Sequence, residues 1–217
     1  MKIRKTDIIK WELHCKKIQD LTSVNVFESE SEKAERIERA KTDFLFFTEY
    51  YFPHYRISPS ANFHALAAKE VAENKKLRAV FEWARGHAKS THFNILIPLW
   101  LKIKGELKVM ILVGKSEDNA KLLLSDVQAE LEFNERFKND YGEQLTIGNW
   151  EGGRFVTKDE VAFFSLGRGQ SPRGLRYKQN RPTYIVLDDI DSEDIIENES
   201  RVNKLVEWCL SALFPAM

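Results

Sequence analysis

The sequence predicts an α/β protein, a mostly parallel sheet flanked by helices and preceded by a helical arm. Two observations carry this: from Leu77 onward short apolar runs of strand length alternate with helical stretches, and before about Tyr55 the chain is charged and helical in pattern. A third concerns size, since 217 residues that are 43% hydrophobic can bury one sizeable core, which excludes a disordered or fibrous chain.

The elements follow in order. In SESEKAERIERAKTDFLFFTEYYF, Ile37, Ala40, Phe44 and Phe47 recur at spacings of three and four, the period of a helix with one apolar face. Residues 1–58 are therefore expected to form an N-terminal arm whose aromatics, Phe44 to Phe52, pack into a core, and residues 59–217 the main domain. The Ser-Pro-Ser in RISPSANFHALAAKEVAENKK opens a second helix near Ser60. Strands are expected at LRAVFEW (Leu77 to Trp83), LKVMILVG (Leu107 to Gly114), VAFFSLG (Val161 to Gly167) and YIVLDD (Tyr184 to Asp189). Between them, KSTHFNILIPLWLKIK and KSEDNAKLLLSDVQAELEFNERF read as helices, with Leu122, Leu123, Val127 and Leu131 expected in the core. NDYGEQLTIGNWEGGRF reads as a loop or small hairpin.

Composition narrows the function classes only partly. Lys+Arg and Asp+Glu are equal at 33 each, so any basic surface must come from clustering. Cys15 and Cys209 are too far apart for a CxxC redox or zinc pattern, which suits a reduced intracellular chain. The N-terminal stretch has no apolar run of signal-peptide type, and no segment reaches the ~18 apolar residues of a membrane span. A soluble protein, with no membrane partner, is expected.

The stretch FEWARGHAKSTHFN raises the first chemical question. Aligned on Lys89, the phosphate-loop pattern G-x-x-x-x-G-K-[ST] finds Trp83 and Ala88 where glycines belong. Context still favours a phosphate site, because the stretch follows an expected strand and opens an expected helix, where backbone N–H groups and the helix N-terminus face an anion. Ala88 is small enough for close backbone approach, although a positive φ would suit it less well than glycine. In this reading Lys89 reaches the β and γ phosphates, Ser90 ligates Mg²⁺, Thr91 supports it and Arg85 adds a cation. A helix cap with a solvated lysine is the plainer alternative.

A second motif lies in YIVLDDIDSED. A carboxylate directly after a buried strand carries a desolvation cost unless something cationic is bound, so Asp188 suits the magnesium side of such a site. Asp189 is the first candidate to orient the attacking water, with Glu193 and Asp191 in reserve. The acids from Asp191 to Asp194 also suit a helix N-terminus. Between the motifs, GRGQSPRGLRYKQNRP gathers Gly167, Gly169 and Gly174 with Arg168, Arg173, Arg176 and Arg181, a basic loop suited to phosphate. Lys115 and Ser116 follow LVG at another strand end, open to DNA or nucleotide.

Taken together, ARGHAKST, LVGKSEDNAKLLLSDVQAELEFN, SLGRGQSPRGLRYKQNRP and YIVLDDID resemble the ATPase domain of tailed-phage or prophage large terminase subunits, over about Phe46 to Phe214. The resemblance implies a P-loop NTPase fold of the ASCE or RecA-like kind, ATP and Mg²⁺ as cofactors, and hydrolysis driving double-stranded DNA into a procapsid. It implies a nucleotide-binding loop of Arg85, Gly86, His87, Ala88, Lys89, Ser90 and Thr91, an R-x-x-G-K-[ST] type in which Ala88 is a departure. It implies metal contact at Ser90 and Asp188, catalysis by Asp189 or Glu193, adenine contact at His64, and Arg173 or Arg176 reaching a neighbouring subunit's nucleotide. Asp189 departs from the more familiar Asp-Glu ending. The partners implied are DNA, a portal protein, a small terminase subunit and further copies in a homo-oligomeric ring, in the cytoplasm of an infected or lysogenic bacterial cell. Terminases continue past the second motif into a coupling strand and a nuclease domain, neither of which follows in this sequence, so the edge of the YIVLDD strand is expected to lack cover and no nuclease activity is expected. Two competing readings are a helicase-like P-loop ATPase of repair or restriction, and a non-catalytic nucleotide-binding assembly module.

Overall fold

The computed structural model of the protein describes residues 5–56 and 58–217. The start of the expected arm, Lys2 to Arg4, lies outside them. The chain is α/β, with helices and a five-stranded open mixed sheet. It divides into two compact units, Met1–Ala84 with Gln128–Gln144, and Arg85–Val127 with Leu145–Met217.

The first unit is helical: α1 (Lys5–Leu21), α2 (Glu30–Thr42), α3 (Phe44–Tyr51) and α4 (Asn62–Glu73). Two of the starts have a clear local cause. Ser29 caps α2 in a reciprocal box with Glu32, and the Asp43 side chain accepts from Phe46 N–H at the head of α3. The expected aromatic core is present, since Phe44, Phe47, Tyr51 and Phe52 are all buried, and Phe137 packs edge-on to Tyr51. Beside it sits a polar network for which sequence reading offers no signal. His54 Nε2 meets Glu130 Oε1 at 2.6 Å, while Asn134 Nδ2 donates to Glu130 Oε2 at 3.0 Å and to the Tyr51 carbonyl at 2.7 Å. Paired in this way, Glu130 is almost fully buried without an unmatched oxygen.

The second unit holds the sheet. Its strands are β1 (Val109–Gly114), β2 (Trp150–Glu151), β3 (Arg154–Val156), β4 (Ala162–Gly167) and β5 (Tyr184–Leu187), in the order β2-β3-β4-β1-β5. β1 is central, parallel to β4 on one side and β5 on the other, and all six of its residues are buried. That explains its uniformly apolar sequence, because a strand covered on both faces has no solvent side to mark with polar residues. The sheet is less parallel than expected, since β2 and β3 form an antiparallel hairpin around Gly152 and Gly153 and extend β4. Gly153 takes a φ of 88°, which a side chain would resist, so the short turn depends on glycine there.

Helix α7 (Glu117–Phe133) follows β1, and α8 (Glu135–Tyr141) continues from it after Asn134, which caps the new helix. Val127 and Leu131 are buried as expected, but Leu122 is 63% exposed, a correction to the expected core. It lies on the opposite face of α7 from Leu124, Val127 and Leu131, which take the buried stripe. After β5 come α9 (Glu193–Ile196) and α10 (Glu199–Trp208), the latter passing into a π-helical turn over Cys209–Leu213.

One strand expectation turns out differently. Leu77 to Trp83 forms no strand, and Val80 within it is 87% exposed. Apolar residues alone do not make a strand, which also needs a neighbouring strand for its backbone, and this stretch is not among the five strands of the sheet. β5, by contrast, is the outermost strand next to β1, with Ile185, Val186 and Leu187 only half-buried.

Candidate phosphate and metal site

Parallel strands end on one side of a sheet, and the loops leaving them gather there. Gly114 of β1 is level with Gly167 of β4, and Val113 is level with Leu187 of β5. The residues just beyond, Lys115 and Ser116, Arg168, and Asp188 and Asp189, therefore share the carboxyl edge of the sheet, where α/β proteins commonly bind ligands. Packing is tight at this edge. A Cβ on Gly114 would come within 2.9 Å of Ala120 N, and one on Gly167 within 2.7 Å of Glu117 N, so both glycines let the head of α7 close onto the strand ends.

The loop of Arg85 to Ala88 enters the helical run α5 (Lys89–Thr91), a π-helical turn (His92–Leu96) and α6 (Ile97–Ile103). The helix expected after the loop is present, while the strand expected before it is not. Gly86 has a φ of 87° and Ala88 a φ of 55° with ψ 32°, the left-handed region. Ala88 thus occupies the conformation for which the usual glycine is suited, at a cost of about 1 to 2 kcal/mol for an L-residue. His92 Nδ1 lies 3.0 Å from the Ala88 carbonyl, which also accepts His92 N–H at 3.0 Å, and so pins the entry to the helix. Arg85, Gly86, His87, Ala88 and Lys89 are exposed, and Ser90 and Thr91 half-buried.

The helix then becomes fully buried from His92 through Lys102. Its π-helical turn sends Ile97 N–H back five residues to the His92 carbonyl. Pro98 has no N–H to continue the ladder, and the Phe93 carbonyl is taken instead by the Tyr184 hydroxyl at 2.8 Å. Burial pushes the Tyr184 phenol above its ordinary value and keeps it a donor.

Asn94 makes the link that sequence reading missed. Its Nδ2 donates to Asp188 Oδ2 at 2.7 Å, with both residues buried. Asp188 N–H in turn donates to the Val113 carbonyl at 2.9 Å, so the carboxylate is held from its backbone by β1 and from its side chain by the helix. Asn94 stands four residues, about one turn, beyond Ser90, so the residue that meets Asp188 and Ser90 lie on about the same face of that helix. The signal was present in the sequence: HFNILIPLWL places a single amide in an otherwise apolar buried run, and a buried amide needs a partner.

The remaining acids separate by environment. Asp189 is exposed and has a φ of 48°, a left-handed backbone that aspartate tolerates better than most residues. Glu193, at the head of α9, is exposed, as is Asp191. Asp194 is committed elsewhere. The Ser192 hydroxyl first, and then, against an opposing effect of burial, the Arg201 and Arg168 cations hold its carboxyl below the ordinary value.

In the basic loop, Arg168 is half-buried and donates through Nη1 to the Ile190 carbonyl at 2.7 Å and the Ser192 hydroxyl at 3.1 Å. Arg173, Arg176 and Arg181 are exposed. Gln170 joins the same loop to its surroundings, accepting Gly167 N–H and Trp208 Nε1–H through its side-chain and main-chain oxygens and donating to Glu117. His64 belongs to the helical unit, where it is buried, accepts Ala61 N–H at Nδ1 and packs against Phe63 and Trp83.

Whether these residues suit a divalent cation is tested by one atom. Asn94 Oδ1 is buried and has no hydrogen-bond partner among the described residues. An acceptor oxygen without a donor, beside a carboxylate and one turn from a hydroxyl, suits a hydrated hard cation, which takes oxygen ligands and carries donor waters. No cluster of three or more His, Cys, Asp or Glu suited to a metal occurs among the described residues, so a cage made wholly of such side chains is not the arrangement here. Among the described residues no helix is long and apolar enough to cross a membrane. No protein-family model, curated protein or solved structure matches the chain.

Proposed function

We propose that the chain is a Mg²⁺-dependent ATP-hydrolysing motor domain of the kind that drives double-stranded DNA during phage packaging. The observation that carries this reading is the Asn94 to Asp188 hydrogen bond, because it ties an acid at the end of a parallel strand to the helix opened by Lys89, Ser90 and Thr91. Lys89 and Arg85 hold phosphates, with the backbone from Gly86 to Ala88 around them. Ser90 and Asp188 hold Mg²⁺, which when bound offsets phosphate charge. Asp189 orients the attacking water, with Glu193 as the second choice. The exposed Arg173 and Arg176 are free to meet a neighbouring copy's nucleotide or the DNA backbone. A P-loop fold of the RecA-like kind, a ring assembly and portal and small-subunit partners belong to the same proposal.

A second reading, a nucleotide-binding module without turnover, draws on the exposure of Asp189 and Glu193, neither of which is held by a buried partner as Asp188 is. Phosphate release separates the two. Assembled protein with DNA is expected to turn over ATP, and Lys89→Ala to abolish it; equal release by wild type and Lys89→Ala would contradict the motor reading. Dilute monomer is expected to be slower by about 10³-fold or more if an arginine acts between copies.

A further inference from the structure

We infer that Asn94 is a positioning residue for the divalent cation, its carbonyl oxygen accepting a hydrogen bond from a water on the metal while its amide nitrogen fixes Asp188. This rests on the phosphate-site reading above and assigns the cation a residue outside the two motifs. An ionised carboxylate offers only acceptors, so the Asn94 nitrogen must face Asp188, and its orientation follows from chemistry. The oxygen is thereby turned away from Asp188. It is buried with no partner among the described residues, although Asn94 itself is only 2% exposed.

The surrounding donors do not answer this acceptor. The Tyr184 hydroxyl is taken by the Phe93 carbonyl, and Asp188 N–H by the Val113 carbonyl. A water on a divalent cation has its lone pair engaged by the metal and serves mainly as a donor. Such a water suits an orphan acceptor beside the carboxylate that attracts the cation. Asn94 also sits inside a π-helical turn, a feature often found at functional sites, and this places an amide within an otherwise apolar wall. A packing role would not require an amide there, since leucine is close in size and has no oxygen to leave unpaired.

The test uses the full chain, with ATP and Mg²⁺ as probes and calorimetry and thermal unfolding as readouts. In Asn94→Leu, the gain in ATP affinity on adding Mg²⁺ is expected to fall about tenfold or more relative to wild type, the size typical of groups that support a metal ligand. Asn94→Asp keeps the shape and places two carboxylates together, so its unfolding temperature is expected to respond more strongly to Mg²⁺ than that of wild type. A folded Asn94→Leu with the wild-type gain, or an Asn94→Asp whose magnesium response is no larger than wild type, overturns the inference. Lys89→Ala distinguishes this from failure of the underlying reading: wild-type ATP binding in that variant sinks the phosphate site itself, whereas lost binding there with unaltered magnesium responses at Asn94 sinks only the role of Asn94.

Discussion

Arg168 and Ile190 are joined by a 2.7 Å hydrogen bond from guanidinium to carbonyl, which makes the arginine loop and the acid loop one unit. The same guanidinium nitrogen reaches Ser192, so a single side chain spans the segment between Asp189 and Glu193. Removing it leaves a backbone carbonyl without its charged donor, a loss of about 1 to 3 kcal/mol. Arg168→Ala is therefore expected to speed amide exchange across residues 189 to 196, measured by hydrogen-exchange mass spectrometry, while β1 keeps its protection. Unchanged exchange in that segment would show that the acid loop is held by other contacts.

Ala88 provides a test of the loop's backbone. With φ at 55°, it carries a strain that glycine relieves, offset in part by glycine's greater freedom when unfolded. Ala88→Gly is expected to raise stability by up to about 1 kcal/mol in urea unfolding. A loss of stability instead would mean that the left-handed conformation is not that of the folded protein in solution.

Lys102 and Asp159 supply a test of electrostatics and pH. Their charged atoms are 2.5 Å apart, with the Lys102 side chain almost fully buried and that of Asp159 half-exposed. The two partners shift in ways that disagree about the pair's worth. Burial works to raise Asp159, but the Lys102 charge, its hydrogen bond and that of Thr157 prevail and hold the carboxyl below its ordinary value. For Lys102, burial prevails over the same partner and lowers the ammonium. The burial cost is the better guide to the lysine, because its side chain has almost no access to water. Since the folded carboxyl is depressed, its contribution is present above the unfolded value near ~3.9 and is lost as pH falls through the lower folded value. Asp159→Asn is expected to cost up to about 3 kcal/mol at neutral pH by removing the carboxylate that faces a buried cation, and Lys102→Met to cost much less. Equal losses in the two variants, or a wild type whose stability does not fall below pH ~4 relative to Asp159→Asn, would contradict this assignment.

These contacts show what the sequence reveals and what it conceals. β1 and β5 were legible because LKVMILVG and YIVLDD are short continuous apolar runs, though only β1 is buried along its whole length. Asp188 stands out in the sequence as an acid directly after such a run, and the fold buries it there. Leu77 to Trp83 has a similar composition, yet composition carries no information about which backbone will lie alongside, and this stretch is not among the strands of the sheet. The hairpin of β2 and β3 was legible only as one of two choices, because Gly152 and Gly153 mark a turn without saying which strand β3 will join. Asn94 was missed for a different reason. Its partner lies 94 residues away, and only the fold shows that this amide meets that carboxylate.

The loop before Lys89 and the acid at 188 are proposed to form one site for phosphate and magnesium. Calorimetric titration of ATP into the full chain, with and without Mg²⁺, tests it most directly when wild type, Lys89→Ala and Asp188→Asn are compared. Wild type is expected to bind ATP, Lys89→Ala to lose that binding with its fold intact by circular dichroism, and Asp188→Asn to lose the part that depends on Mg²⁺. Unchanged ATP binding in folded Lys89→Ala, together with a wild-type magnesium response in Asp188→Asn, would contradict the account.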